Sequence, residues 1–145
     1  MMMMKYRYVI CTLLAVLSLG SCDFETSDNG DFDGNWQLMR VDTLKTGGSA
    51  DVKASQIFYA VQVRLINIRA YNYASHSGNF YFHFDRTGNT LTIKSAASNG
   101  EAMYSDEDVE PYGLSSVNEH FTIVTLTSDN MVLQSDKLRL QFRKF

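Results

Sequence analysis

The 145-residue sequence predicts an all-β domain. The expected form is an antiparallel up-and-down β-barrel of about seven to eight strands, with a β-sandwich as the alternative. Three observations point there. From Gly34 onward apolar residues recur mostly with period two, the pattern of half-buried strands. The segments between these runs are mostly short and rich in Gly, Asn, Asp and Ser. No stretch carries three turns of helical periodicity. Short connections favour pairing in chain order, and joining the first strand to the last removes both exposed edges.

The first strand is read at Asn35 to Val41, with Trp36 and Leu38 on one face and Gln37 and Met39 on the other. Met39 and Val41 blur the polar face. Residues 42 to 56 read as a loop, with room for one helical turn near Ala50 to Ala54. A long strand follows from Ile57 to Tyr71. Tyr59, Val61, Val63 and Leu65 share a face there, and then Ile66 and Ile68 take over on the other. That change of phase predicts a bulge near Leu65, or a strand bending from one sheet region to another.

Phe80, Phe82 and Phe84 alternate with Tyr81, His83 and Asp85, a strand with three rings on one face. Thr87-Gly88-Asn89 is a hairpin turn in which Gly88 takes a positive φ. Leu91 and Ile93 form the inward face of the next strand. Residues 96 to 113 are irregular, and Ser116 with Glu119 has the spacing of a capping box, which predicts a helical turn. Three strands close the chain, at His120 to Thr127, Met131 to Gln134 and Lys137 to Lys144. In the last, Leu138, Leu140 and Phe142 alternate with Arg139, Gln141 and Arg143.

The first 21 residues have a different character. Lys5 and Arg7 precede an apolar run from Val9 to Leu19, and small residues follow, the plan of a secretion signal. The run is too short for the ~20 residues of a membrane-spanning helix. Leu19-Gly20-Ser21-Cys22 resembles the lipobox of bacterial lipoproteins. That resemblance implies cleavage before Cys22 and lipid on its sulfur, so that the chain is held to a membrane. Cys11 leaves with the signal, so no disulfide, cysteine metal site or thiol nucleophile remains.

Residues 22 to 33 read as an acidic tether carrying Asp23, Glu25, Asp28, Asp31 and Asp33. Without Lys5 and Arg7 the chain holds 11 basic against 16 acidic residues, and from Gly34 the two balance at 11 each. The acidic run resembles the surface-export signal of Bacteroidota lipoproteins, which implies an outer-membrane, cell-surface location. With no basic excess to neutralise phosphates, nucleic acid is not expected as a partner.

Residues 34 to 145 form the folded domain in this reading. Gly34-Asn35-Trp36, opening the first strand, resembles the Gly-x-Trp start of lipocalins. Tyr112-Gly113-Leu114, Phe121-Thr122-Ile123, Met131-Val132-Leu133 and the basic, aromatic last strand are similar to small lipocalin-like lipoproteins of Bacteroidota. The resemblance implies a barrel and a basic side chain of the last strand, Arg143 or Arg139, packed over Trp36. Antiparallel pairing of first and last strands favours Arg143.

No catalytic residue emerges. Gly-x-Ser-x-Gly does not occur, and no acid–base pair stands out. His76, His83 and His120 lack ligand spacing, and Asp106-Glu107-Asp108-Val109-Glu110 lacks the alternation of a calcium loop. No metal or other cofactor is therefore expected. The ligand-binding candidates are Trp36, Tyr59 and Tyr81; outward Tyr71, Tyr73 and Tyr81 read first as core or scattered surface rings, with a platform for sugars or peptides as the lesser reading. Two functional classes remain. One is a non-catalytic envelope module that binds a small apolar ligand or a partner protein. The other is a structural or interaction module whose barrel is filled by its own side chains. A small hydrolase is a distant third.

Overall fold

The structure is a computed structural model that describes residues 27–72 and 78–145. Cys22, Tyr73, His76, the signal and the first part of the tether lie outside the described residues. Eleven strands occur among those described. They are β1 (Gly34–Thr43), β2 (Gly48–Asp51), β3 (Ile57–Gln62), β4 (Leu65–Ala70), β5 (Asn79–Thr87), β6 (Thr90–Ser95), β7 (Ala97–Ser98), β8 (Glu101–Ala102), β9 (Asn118–Leu126), β10 (Asn130–Gln134) and β11 (Leu138–Lys144). One helix of four residues, α1 (Asp106–Val109), precedes β9.

Eight strands run antiparallel in the order β11-β10-β9-β6-β5-β4-β3-β1, and β11 pairs with β1 to close a barrel. The up-and-down reading holds. The strands follow one another around the wall because their connections are short, and closure leaves those eight without free edges. Across the seam Trp36 faces Lys144, Gln37 faces Arg143 and Leu38 faces Phe142. The register then slips between Leu38 and Arg40, so Met39 is an extra residue on β1. This bulge explains the blurred alternation. It moves the inward set from Trp36 and Leu38 to the phase of Val41, which pairs with Leu140.

Four sequence expectations change. The long strand from Ile57 is two strands, β3 and β4, joined by a tight turn at Val63-Arg64 with Gln62 opposite Leu65. The reversal, rather than a bulge, causes the change of phase. Val63 adopts φ +55°, uncomfortable for a branched side chain, and Asn29 Nδ2 donates to its carbonyl at 2.7 Å. The loop at 42 to 56 contains β2, which pairs with the end of β1, and a 3₁₀ turn at Lys53–Ser55. The helical turn expected at Ser116 does not form. The capping box is instead Ser105 with Asp108, opening α1, while Glu119 lies in β9. Its carboxylate accepts from the Ser115 and Ser116 backbone N–H groups at 2.7 and 3.3 Å, and this satisfies a turn rather than a helix start.

The fourth change concerns the tether. Phe32, placed there by its acidic neighbours, is 1 % exposed and meets Phe84 edge-on at 5.1 Å. A 3₁₀ turn at Gly30–Phe32 inserts the ring, and its carbonyl accepts from Trp36 Nε1 at 2.8 Å. The core therefore begins before Gly34.

The opposite mouth is closed by Val109, Tyr112 and Leu114, all buried. Gly113 turns the chain there with φ +92°, and a Cβ at this position would stand 3.0 Å from Leu38. Tyr59 donates from its hydroxyl to the Tyr112 carbonyl at 2.8 Å, tying the lid to the wall. The acidic loop thus folds into a cap. Asp106 accepts from the Val117 N–H and Asp108 from the Ser105 N–H.

Candidate functional site

The inward faces leave little for a guest. Trp36, Tyr59, Phe82, Phe121 and Phe142 are buried in one continuous cluster with the Leu and Ile residues of the eight strands. Tyr59 and Phe142 pack edge-on at 4.9 Å. Phe32 stands at one end of the cluster and Tyr112 at the other, so the barrel is packed with its own side chains in the manner of small barrels.

Two of the three ligand-binding candidates are therefore withdrawn from solvent. Trp36 is 0 % and Tyr59 1 % exposed, because period-two alternation that points a ring inward also packs it against the opposite wall. Burial, aided by the Glu119 carboxylate, pushes the Tyr59 hydroxyl well above the ordinary phenol range. Tyr81 is reachable, at 48 % exposed, but lies on the outer wall. It shares an open cleft of about 1010 Å³ with Leu65 and His83. His83 and His120 are both exposed, and His120 Nδ1 lies 3.0 Å from Thr92 Oγ1. Among the described residues no three His, Cys, Asp or Glu side chains gather as a metal site.

A second open cleft, of about 970 Å³, lies on the outer face of β11, β1 and β3. Its floor is Gln37 and Phe58, paired neighbours 5 % and 7 % exposed. Buried Gln37 is held from both sides. Its Nε2 donates to the Lys53 carbonyl at 3.2 Å, and Arg143 Nη2 donates to its Oε1 at 3.1 Å. Tyr71 and Phe145, 63 % and 76 % exposed, form aromatic walls. Each meets Phe58 edge-on, at 5.7 and 5.2 Å. The far wall is the 3₁₀ turn after β2, closed by Gln56 in the left-handed region with φ 50°. Backbone bonds from Tyr71 to Gln56 and from Asn72 to Ser55 lock that turn to the end of β4.

Outward Tyr71 was legible from the sequence. Gln37, Phe58 and Arg143 were missed, though one signal marked them. Phe58 is a large ring on the outward face it shares with Ala60 and Gln62, and a buried outward ring needs something to cover it.

The expected contact over Trp36 is made by a different residue. Lys144 Nζ lies 4.7 Å from the indole centroid and donates to the Asp31 carbonyl. Arg143 alternates outward to Gln37, and Arg139 donates to Gln134.

Comparison with known proteins agrees with this architecture. The profile of the lipocalin-like domain family matches residues 15–145. No curated protein matches the chain. A lipocalin-like protein from Bacteroides uniformis ATCC 8492 superposes with TM-score 0.64 at 20% identity, covering 80% of this chain and 100% of that one. An uncharacterized protein from Bacteroides eggerthii DSM 20697 gives TM-score 0.64 at 20% identity, covering 78% and 98%. At that identity the likeness is one of fold.

Proposed function

The chain belongs to the lipocalin-like domain family, and from that premise we propose a non-catalytic binding module of the cell envelope, held to the outer membrane by lipid on Cys22, that recognises its ligand on the outside of the barrel. The observation that carries this reading is the packed interior, with Phe32 closing one mouth and Tyr112 the other. A family fold built around a cup keeps its wall here while its own side chains occupy the cup. What is left for recognition is the outer surface, where the Gln37–Phe58 groove combines rings with positioned polar groups. The acidic run after Cys22 supports display at the cell surface.

The filled barrel was the basis of the structural alternative. The groove favours binding over a purely structural role because an inert wall has no need of a buried amide gripped by Lys53 and Arg143. The test is to purify the chain from its own membranes and compare native and denatured masses. The reading expects the mass of the processed, acylated chain with no apolar molecule inside. A stoichiometric apolar guest released only on unfolding overturns it. Cys22→Ser should release the protein from the membrane fraction, since acylation supplies about 0.8 kcal/mol per buried CH₂. Retention through a carbonate wash contradicts the anchor.

A further inference from the structure

We propose that the groove on the outer face of β11, β1 and β3 binds an acidic saccharide, its carboxylate taken by Arg143 and Lys53 and its ring face by Tyr71. This inference rests on the outside-binding reading above and supplies the ligand's chemical class.

The charge argument comes first. Ion pairs among the described residues are Arg40–Asp42, Arg64–Asp85 and Lys94–Asp85. Arg143 and Lys53, both lining the groove, are in none of them. Arg69, directly across from Phe58 on β4, is likewise unpaired by any carboxylate. Its guanidinium lies 5.6 Å from the Tyr71 ring centroid. Arg143 and Lys53 thus give the lining two basic side chains, and Arg69 stands next to its Phe58 floor. The one acid lining the groove, Asp51, accepts from the Lys53 backbone N–H at 3.0 Å and keeps its charge, so the lining carries one net positive charge. An anion is the complement, and a guanidinium beside an ammonium suits a carboxylate.

The rest of the lining decides what carries the carboxylate. An aromatic acid would need rings and a cation, and nothing more. Gln56, Asn72 and Tyr71 also line this groove. Amides and phenols both donate and accept, the requirement set by a row of hydroxyl groups. The exposed Tyr71 and Phe145 rings offer flat apolar faces to the C–H side of a pyranose. Rigidity supports the same conclusion. The floor amide is fixed by two hydrogen bonds and the rim is tied by Asn72 Nδ2 to the Ala54 carbonyl at 3.0 Å, so the groove is already formed.

The test titrates the acylated chain in nanodiscs by calorimetry. The probes are trigalacturonate, its methyl ester, which keeps rings and hydroxyls but loses the charge, and benzoate, which keeps charge and ring but lacks hydroxyls. Trigalacturonate should bind at least about tenfold tighter than the other two, with affinity falling as salt rises. Arg143→Gln should remove most of the preference for acid over ester, and Tyr71→Ala should weaken both saccharides. Both side chains are on the outer surface, and unchanged Trp36 emission verifies the fold of each variant. Equal binding of acid and ester overturns the carboxylate assignment and leaves outside recognition standing. Equal binding of benzoate overturns the saccharide. Binding untouched by either variant removes the ligand from this groove, and no binding by either saccharide overturns the inference outright. None of these results depends on the mass measurement that tests the parent reading.

Discussion

The ammonium of Lys144 stands 4.7 Å from the centre of the Trp36 ring, directly across the seam where the last strand meets the first. A buried indole and a half-buried cation make very different contributions. Trp36→Ala should cost about 3–5 kcal/mol by urea unfolding, because the ring is fully enclosed. Lys144→Ala should cost about 0.5–1 kcal/mol, the range for a partly exposed cation–π contact. Trp36 is the only tryptophan, so its emission reports this site alone. It should be blue-shifted and resist quenching, and red-shifted emission from the folded chain contradicts the buried seam.

Phe32 makes a second prediction, about where the domain starts. Phe32→Ala should lose about 3–5 kcal/mol, as for a core ring. Asp28→Ala, a few residues away on the exposed stretch, should be close to neutral. If both changes are neutral by urea midpoint, the ring is not part of the core.

The turn between β3 and β4 holds a branched side chain at φ +55°. Asn accepts that conformation far more readily than Val, at a difference of about 1–2 kcal/mol. Val63→Asn should therefore stabilise the protein by roughly that amount, raising the urea midpoint at constant slope. A loss of stability would mean that the Val63 side chain makes contacts worth more than the backbone strain.

Tyr59 predicts behaviour in alkali. Its hydroxyl is buried and holds its proton far more tightly folded than unfolded. Below the unfolded value near 10 both states keep the proton and stability does not depend on it. Above that value the unfolded chain releases the proton while the folded one retains it. Stability then falls by up to about 1.4 kcal/mol per pH unit. Tyr59→Phe should remove this part of the alkaline slope. It should also cost about 0.5–1.5 kcal/mol at neutral pH, the net contribution of the lost hydrogen bond to the Tyr112 carbonyl. Tyrosinate absorbance of the folded wild type should show one phenol that does not titrate until the protein unfolds.

The barrel was legible because alternation is a local signal. Phe80, Phe82 and Phe84 declare an inward face within five residues, and Leu138, Leu140 and Phe142 do the same. Two local features hid from it. Val63-Arg64 reverses the chain with no Gly, Asn, Asp or Pro, so it reads as strand. Met39 shifts the register without breaking the apolar run. Phe32 was concealed by charge, since Asp31 and Asp33 flank it and composition averages the three together.

The groove lay beyond sequence reading for a different reason. Gln37 and Arg143 are 106 residues apart in the chain and touch only because the barrel closes. A contact of that kind has no local signature. Tyr71 could be found as an outward ring, but its partners depend on which strands become neighbours.

The capture of Phe32 leaves the barrel on a short leash. Arg86 Nη1 donates to the Asn29 carbonyl, and the Asn29 amide grips the Val63 turn, so the chain is fastened to that end of the barrel from Asn29 onward. From Asn29 back to Cys22 the backbone can reach at most about 25 Å. With lipid on Cys22, the Val63 end is moored against the bilayer while Lys53 and Tyr71, at the opposite ends of β3 and β4, ride about 20 Å farther out. The groove then sweeps a layer within about 45 Å of the membrane, too far out to face the lipid and too near to leave it. If the groove binds as proposed, a molecule arriving at that surface would meet sites spread over two dimensions, and the mooring would raise their effective concentration with no change in any contact.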